Sequence, residues 1–213
     1  MRNNKSIDQL CERYPVLSDL RNNISDASGL IIDCYTNGGK ILICGNGGSS
    51  ADADHFTGEL MKSFESGRPL DDSFKKRLHD TSGTRGKYLA LKLEHSLPAI
   101  SLSSNTALTT AISNDIDPSL IFAQQVIGYG NENDVLIGIS TSGNSQNIVD
   151  ACITAKALNI SVIGITGKTG GKMKQYCDVL VNVPETRTAL IQELHLPVLH
   201  TICRIVENYF YSN

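Results

Sequence analysis

From Ile7 to Tyr35, apolar residues recur at Leu10, Tyr14, Leu17, Leu20, Ile24, Leu30, Ile31 and Cys34. That spacing is mainly helical. Pro15 and Ser18 mark a break within it, and Asn37-Gly38-Gly39 ends it. The pattern then changes to short apolar runs at Lys40–Cys44, Pro98–Leu102, Asp134–Ile139, Ser161–Thr166 and Asp178–Val183. Runs of Ile, Val and Leu uninterrupted by polar residues predict strands buried on both faces. Helical spacing returns over Ala51–Lys62, Ser145–Leu158 and Thr188–Tyr209. Strands alternating with helices predict an α/β domain built on a parallel, doubly wound sheet. Ligands in such sheets sit at the carboxyl ends of strands, and the polar, Gly-rich segments of this chain all follow strands.

Residues 63–97 depart from the alternation. Ser63–Pro69 reads as a loop, and Asp71–His95 is charged and polar with a turn at Ser82-Gly83-Thr84-Arg85-Gly86. Two short helices inserted before the second strand are predicted there. No internal repeat interrupts residues 1–213, which read as one domain opening on a helical segment at 1–36.

Composition narrows the function. Hydrophobic residues make up 40% and charged residues 19% of 213, which points away from a disordered chain. A net charge of −3 argues against a dedicated nucleic-acid surface. It leaves small anions open, because backbone amides bind phosphate without net positive charge. No apolar run approaches the roughly 20 residues that span a bilayer, and Met1–Ser6 has no signal-peptide core, so a cytoplasmic location is expected. The six cysteines are scattered with no C-x-x-C pair, which suits reduced, partly buried thiols.

Five segments carry candidate chemistry. Gly45-Asn46-Gly47-Gly48-Ser49-Ser50 lies between a strand and a helix, where amides and the helix terminus favour an anion. It matches neither standard nucleotide fingerprint: Ser50 replaces the third glycine, and no lysine follows. Ser140-Thr141-Ser142-Gly143-Asn144-Ser145 puts four hydroxyls at the mouth of a helix. A single helix cap accounts for one hydroxyl; four suit a phosphate, whose oxygens accept many hydrogen bonds. Gly167-Lys168-Thr169-Gly170-Gly171-Lys172 lacks the upstream glycine of a P-loop and reads as a turn. His55 and Glu59 stand four apart on a predicted helix and share a face, as metal ligands or as a proton-transfer pair, or as part of a solvated surface. In Gln192-Glu193-Leu194-His195-Leu196-Pro197-Val198-Leu199-His200, polar groups are embedded in an apolar helix that Pro197 is expected to kink. Gln192 lies about 80° from His200 and about 60° from His195 around the axis. Spacing therefore leaves open which histidine faces a site.

Taken together, these segments resemble one family. The likeness runs from Cys44–Ser49 through His55-x-x-x-Glu59, Asn114-Asp115 and Ile139–Ser145 to Thr166–Lys172, Ile191-Gln192-Glu193-x-His195 and His200. This is similar to a sugar isomerase (SIS) domain of the phosphoheptose isomerase type, over nearly the whole chain except the insert. The resemblance implies a single SIS domain with a central five-stranded parallel sheet, flavodoxin-like in its winding, assembled as a homotetramer. It implies conversion of sedoheptulose 7-phosphate to D-glycero-D-manno-heptose 7-phosphate, the first step toward the activated heptose of lipopolysaccharide or capsule. By position, Ser140, Thr141, Ser142 and Ser145 would hold the phosphate, and Asn46, Gly47, Gly48, Asn114, Asp115, Glu59 and Gln192 would contact the substrate. His55, Glu59, Gln192 and His200 would bind zinc, with Glu59 and His200 as the acid/base pair. The resemblance thus selects His200 over His195.

The chain departs from the pattern in its long insert and in Ala189, where related isomerases carry an acidic residue. Three other readings share the fold: a non-catalytic adapter of replication initiation, a sugar-phosphate-sensing regulator, and an isomerase for another ketose phosphate. Adapters lose the acid/base residues, whereas Glu59 and His200 are present here. A regulator needs a DNA-binding domain, for which the first 36 residues are too few.

Overall fold

A computed structural model describes residues 5–212; Met1–Asn4, and with them part of the stretch read above for targeting, lie outside the described residues, as does Asn213. Helix α1 (Lys5–Arg13) is followed by a 3₁₀ turn at Pro15–Leu20 and by α2 (Arg21–Thr36). The predicted break therefore falls at Pro15, which opens the 3₁₀ turn where its missing amide costs nothing. Strand β1 (Ile41–Gly45), α3 (Gly48–Met61), α4 (Asp72–Lys92) and β2 (Ala99–Ser101) come next. After α5 (Thr106–Asp115) and α6 (Ala123–Tyr129), the chain alternates through β3 (Val135–Ser140), α7 (Gln146–Ala157), β4 (Ser161–Thr166) and β5 (Val179–Asn182) to α8 (Thr188–Tyr211).

The five strands are all parallel, in the order β2-β1-β3-β4-β5. Successive side chains of a strand point to opposite faces, and the two faces fill separate cores. Ile41, Ile43, Val135, Ile137, Ile139, Ile163 and Ile165 pack against α1, α2, α3 and α8. Leu42, Cys44, Leu136 and Val162 pack against residues of α6 and α7. Both faces are covered, which is why the strands read as unbroken apolar runs. At the amino end of β3, the buried Asp134 carboxylate accepts from the Lys40 backbone at 2.9 Å and from its ammonium at 2.6 Å, tying β1 to β3.

The insert forms two helical pieces, as predicted. Within α4 the backbone leaves helical geometry at Ser82 and Gly83, the latter at φ +47°, and a Cβ on Gly86 would overlap the Leu78 carbonyl. Pro197 does not end α8, which continues through it to Tyr211. Two helices were not among the predicted elements: α5 and α6. The first is rich in Thr, buries only Ile112 and starts on an Asn105 cap; the second has seven residues. Neither presents a long apolar stripe for periodicity to detect.

One line of reasoning is corrected. The broad apolar surfaces of the terminal helices suggest a partner chain; Leu10, Leu17, Leu20, Ile24, Ile31, Leu199, Ile202 and Ile205 are buried within this chain, whereas Leu194 and Phe210 are partly buried and Tyr209 is 60% exposed. The burial comes from mutual packing: α1, α2 and α8 contact one another while covering the sheet.

Gly143, at φ +65°, stands where its missing Cβ would meet the Gly170 carbonyl. Gly143→Ala therefore forces strain of about 1–2 kcal/mol from the left-handed backbone alone. The expected outcome is a lowered midpoint in thermal denaturation, with the β3–α7 loop displaced from the β4 loop.

Candidate active site

The order β2-β1-β3 means that the chain winds outward in opposite directions from β1 and β3. This reversal opens a crevice at the carboxyl ends of those two strands, the usual ligand position in such sheets. Two of the predicted segments line it. Asn46, in the loop after β1, exchanges side-chain hydrogen bonds of 2.9 and 3.0 Å with Asn147 in the first turn of α7. Gly47, at φ +56°, turns the chain into α3.

The β3–α7 loop presents its hydroxyls as expected, and the geometry limits capping as an explanation. Ser145 occupies the N-cap of α7 but makes no side-chain cap bond. Its hydroxyl lies instead 3.2 Å from that of Ser140, while Ser142 accepts from the Asn144 amide at 3.1 Å. The first amides of α7 lack intrahelical acceptors by helix geometry, so the loop offers free amides next to its hydroxyls, the donor types that suit an anion. The turn at 167–172 supports this loop. Gly167 donates to the Thr141 carbonyl at 3.0 Å, Lys172 to Asn144 Oδ1 at 3.0 Å, and Met173 to the Gly143 carbonyl at 3.0 Å.

The second cluster lies between α3 and α8. His55 Nε2 is 2.7 Å from Glu59 Oε1, and His200 Nε2 is 3.4 Å from the same oxygen. The two imidazole rings meet edge to face with centroids 5.3 Å apart. One donor atom from each of His55, Glu59 and His200 lies within 4.8 Å of the others, a set that could hold a metal ion. Glu59 Oε2 and His200 Nε2 are buried without hydrogen-bond partners, the kind of unmet capacity that a bound ion satisfies. Behind Glu59 lies Cys203, whose thiol is pushed well above its usual range by burial and then by the negative charge of Glu59; it stays a neutral wall. Phe64 stacks at 5.5 Å on the far side of His200.

Not every expected residue joins these clusters. The Gln192 side chain lies against Gly48, where a Cβ on that glycine would approach Nε2 to 2.5 Å. Gln192 therefore sits beside the loop after β1, eight residues before His200 on the same helix. Asn114 and Asp115 are exposed at the end of α5 and hydrogen-bond to each other at 2.8 Å. His195 is completely buried, whereas His200 meets Glu59. Sequence reasoning missed Asn147, Phe64 and the pair Arg68–Glu207 described below. Their partners lie up to 143 residues away, and local spacing carries no trace of such contacts.

Parallel strands wound outward from β1 and β3, with hydroxyl-bearing loops at their carboxyl ends and a His–Glu–His cluster between α3 and α8, define a doubly wound α/β domain. The SIS domain family matches residues 4–89 and 89–167. The chain is 43% identical over 191 residues to a phosphoheptose isomerase of Campylobacter jejuni, covering 90% of this chain and 89% of that protein. Two solved phosphoheptose isomerases superpose on it. The one from Neisseria gonorrhoeae does so with a TM-score of 0.72 at 36% identity, covering 96% of this chain and 94% of that one. The one from Francisella tularensis gives 0.73 at 32% identity, with 96% of each chain covered. The chain belongs to the phosphoheptose isomerase family of SIS-domain proteins.

Burial lowers the pKa of His195 from 6.5 to about 4, since the charged ring cannot be solvated there. Between those values the unfolded chain binds a proton that the folded chain refuses. Stability conferred by the neutral ring is thus full above pH 6.5 and is lost as pH falls toward 4, by on the order of 3 kcal/mol. Thermal denaturation across this window should show a steeper acid loss for the wild type than for His195→Met.

Proposed function

We propose that this protein is an aldose–ketose isomerase that converts sedoheptulose 7-phosphate into the aldose heptose 7-phosphate through an enediol. The observation that carries the reading is Glu59: a buried carboxylate beside two imidazoles, in a chain of the phosphoheptose isomerase family. An adapter has no use for that arrangement, and its retention favours an enzyme over a binding module.

Ser140, Thr141, Ser142 and Ser145, with the amides of α7, bind the phosphate and hold the sugar in register; Asn46, Gly47 and Gly48 flank it. Glu59 removes a proton from C1 of the ketose and returns one to C2. His200 gives a proton to O2 as the carbonyl becomes a hydroxyl and accepts one from O1 as the aldehyde forms. The two transfers leave the number of protons on the substrate unchanged. His55 orients Glu59 through their 2.7 Å contact. His55, Glu59 and His200 would hold zinc, which would supply Lewis-acid polarisation of the substrate oxygens. Gln192, beside Gly48, would be the fourth donor, and Asn114 and Asp115 would contact the sugar. The homotetramer is the expected working assembly.

Glu59→Gln keeps the shape and removes the basicity. Turnover in a coupled assay should fall by about 10²–10⁴-fold, with binding of sugar phosphate retained. Reaction in deuterated water should place label at C2 of the aldose. Near-normal turnover in the variant refutes the mechanism, and a wild type that binds but never turns over sugar phosphate restores the adapter.

The metal is checked separately. Protein purified without chelator should contain zinc by elemental analysis, and His55→Ala should lose it. Light scattering at micromolar concentration should give the mass of four 23.1 kDa chains; a monomer would overturn the tetramer.

A further inference from the structure

Glu59 and His200 stand on different helices, α3 and α8, so their separation is set by whatever ties those helices together. The loop that leaves α3 does this through a buried ion pair. The Arg68 guanidinium, 1% exposed, bonds Glu207 of α8 through Nε at 2.9 Å and Nη2 at 2.8 Å. Its other contacts go to the end of α3: Nη1 donates to the Leu60 carbonyl at 2.5 Å, and Nη2 to the carbonyl of Glu59 itself at 3.0 Å. These are terminal carbonyls that the helix cannot satisfy internally. The Tyr211 ring covers the guanidinium at 5.1 Å.

Glu207, fully buried, holds the same loop by its backbone. Oε1 accepts from the Phe64 amide, and Oε2 from the amides of Glu65 and Ser66, each at 2.8 Å. Burial pushes this carboxyl up, but the three amides and Arg68 outweigh it and keep it below the usual range. Outside the buried pair, Glu65 clasps Arg204 of α8 with two bonds of 2.8 Å. The result is a strap from the end of α3 to the last turns of α8. Its Phe64 ring rests on His200, 5.5 Å centroid to centroid and tilted by 37°.

A buried ion pair is a costly way to obtain stability, because well-packed apolar groups often do as well or better. What it supplies is fixed geometry. We infer that Arg68 and Glu207 are positioning residues for the isomerisation: they lock the last turn of α3 against α8 and seat Phe64 on His200, setting the geometry between Glu59 and His200. None of the three touches the reacting atoms; they act through Glu59 and His200. The inference rests on the acid/base roles proposed above.

The test uses the full-length protein in two measurements. The first needs no substrate. The imidazole signals of His200 are identified in NMR spectra by their loss in His200→Asn. They are then followed in Arg68→Lys and Glu207→Gln, which keep the size and polarity of the side chains but not the bond pattern. Displaced His200 signals in folded protein are expected; signals at wild-type positions in both variants overturn the inference. The second is kinetic. Arg68→Lys and Phe64→Leu should lower kcat by about tenfold to a hundredfold, the scale of a small misplacement, with KM within about twofold. In a His200→Asn background, Phe64→Leu should cost nothing further, because the ring acts through that imidazole. An unchanged kcat, a rise in KM alone, or full additivity with His200→Asn overturns it. If the buried-pair variants do not fold, Phe64→Leu, half-exposed at the loop, decides by its kinetics and its coupling to His200. If the wild type fails to turn over sedoheptulose 7-phosphate, the proposed function falls, while the NMR comparison still decides the strap.

Discussion

A parallel sheet cannot leave a face in water when its strands are apolar on both sides, and this constraint organises the molecule. Every crossover must carry a helix back over one face or the other. With β1 paired to β2 on one side and β3 on the other, the crossovers part at the β1–β3 boundary. The loops that end those strands diverge and leave a crevice. The hydroxyls of Ser140 and Ser145 and the paired amides of Asn46 and Asn147 stand at that crevice because the sheet had to be covered, and covering it put their loops there.

The same covering creates the second cluster. Helices α3 and α8 lie on one face of the sheet and contact each other along their length. Polar groups on their facing sides must find partners or remain unsatisfied at a cost. His55, Glu59 and His200 meet there, and the atoms they leave unpaired give the cluster its capacity for a metal ion and for proton transfer. A short loop ties the helix ends together through its buried Arg68 and Glu207 of α8. Catalytic geometry tolerates little error, and a covalent chain alone does not hold two helices to that tolerance.

Much of this was legible along the chain. The strands announce themselves as Ile-, Val- and Leu-rich runs because both their faces are buried. Pro15 and Gly83 mark breaks through backbone chemistry that no tertiary contact can override. The loop hydroxyls and the His55–Glu59 spacing are local patterns, and local patterns survive folding. By contrast, α5 escaped notice because a Thr-rich helix held by a cap has no apolar stripe. Pro197 was expected to kink α8, and the helix runs through it to Tyr211.

Sequence alone determined the class of sheet, the five strands in chain order and the identity of the two polar segments at strand ends, since each depends on residues within a few positions of one another. Spacing left His195 and His200 open and the resemblance pointed to His200; only the tertiary structure set that imidazole on Glu59, laid Gln192 against Gly48 and ran Arg68 from α3 to Glu207. Helical periodicity gives the direction of a side chain about its own axis. Which neighbour waits in that direction depends on how α3 and α8 are rotated and staggered on the sheet, and that is set by the packing of the whole core.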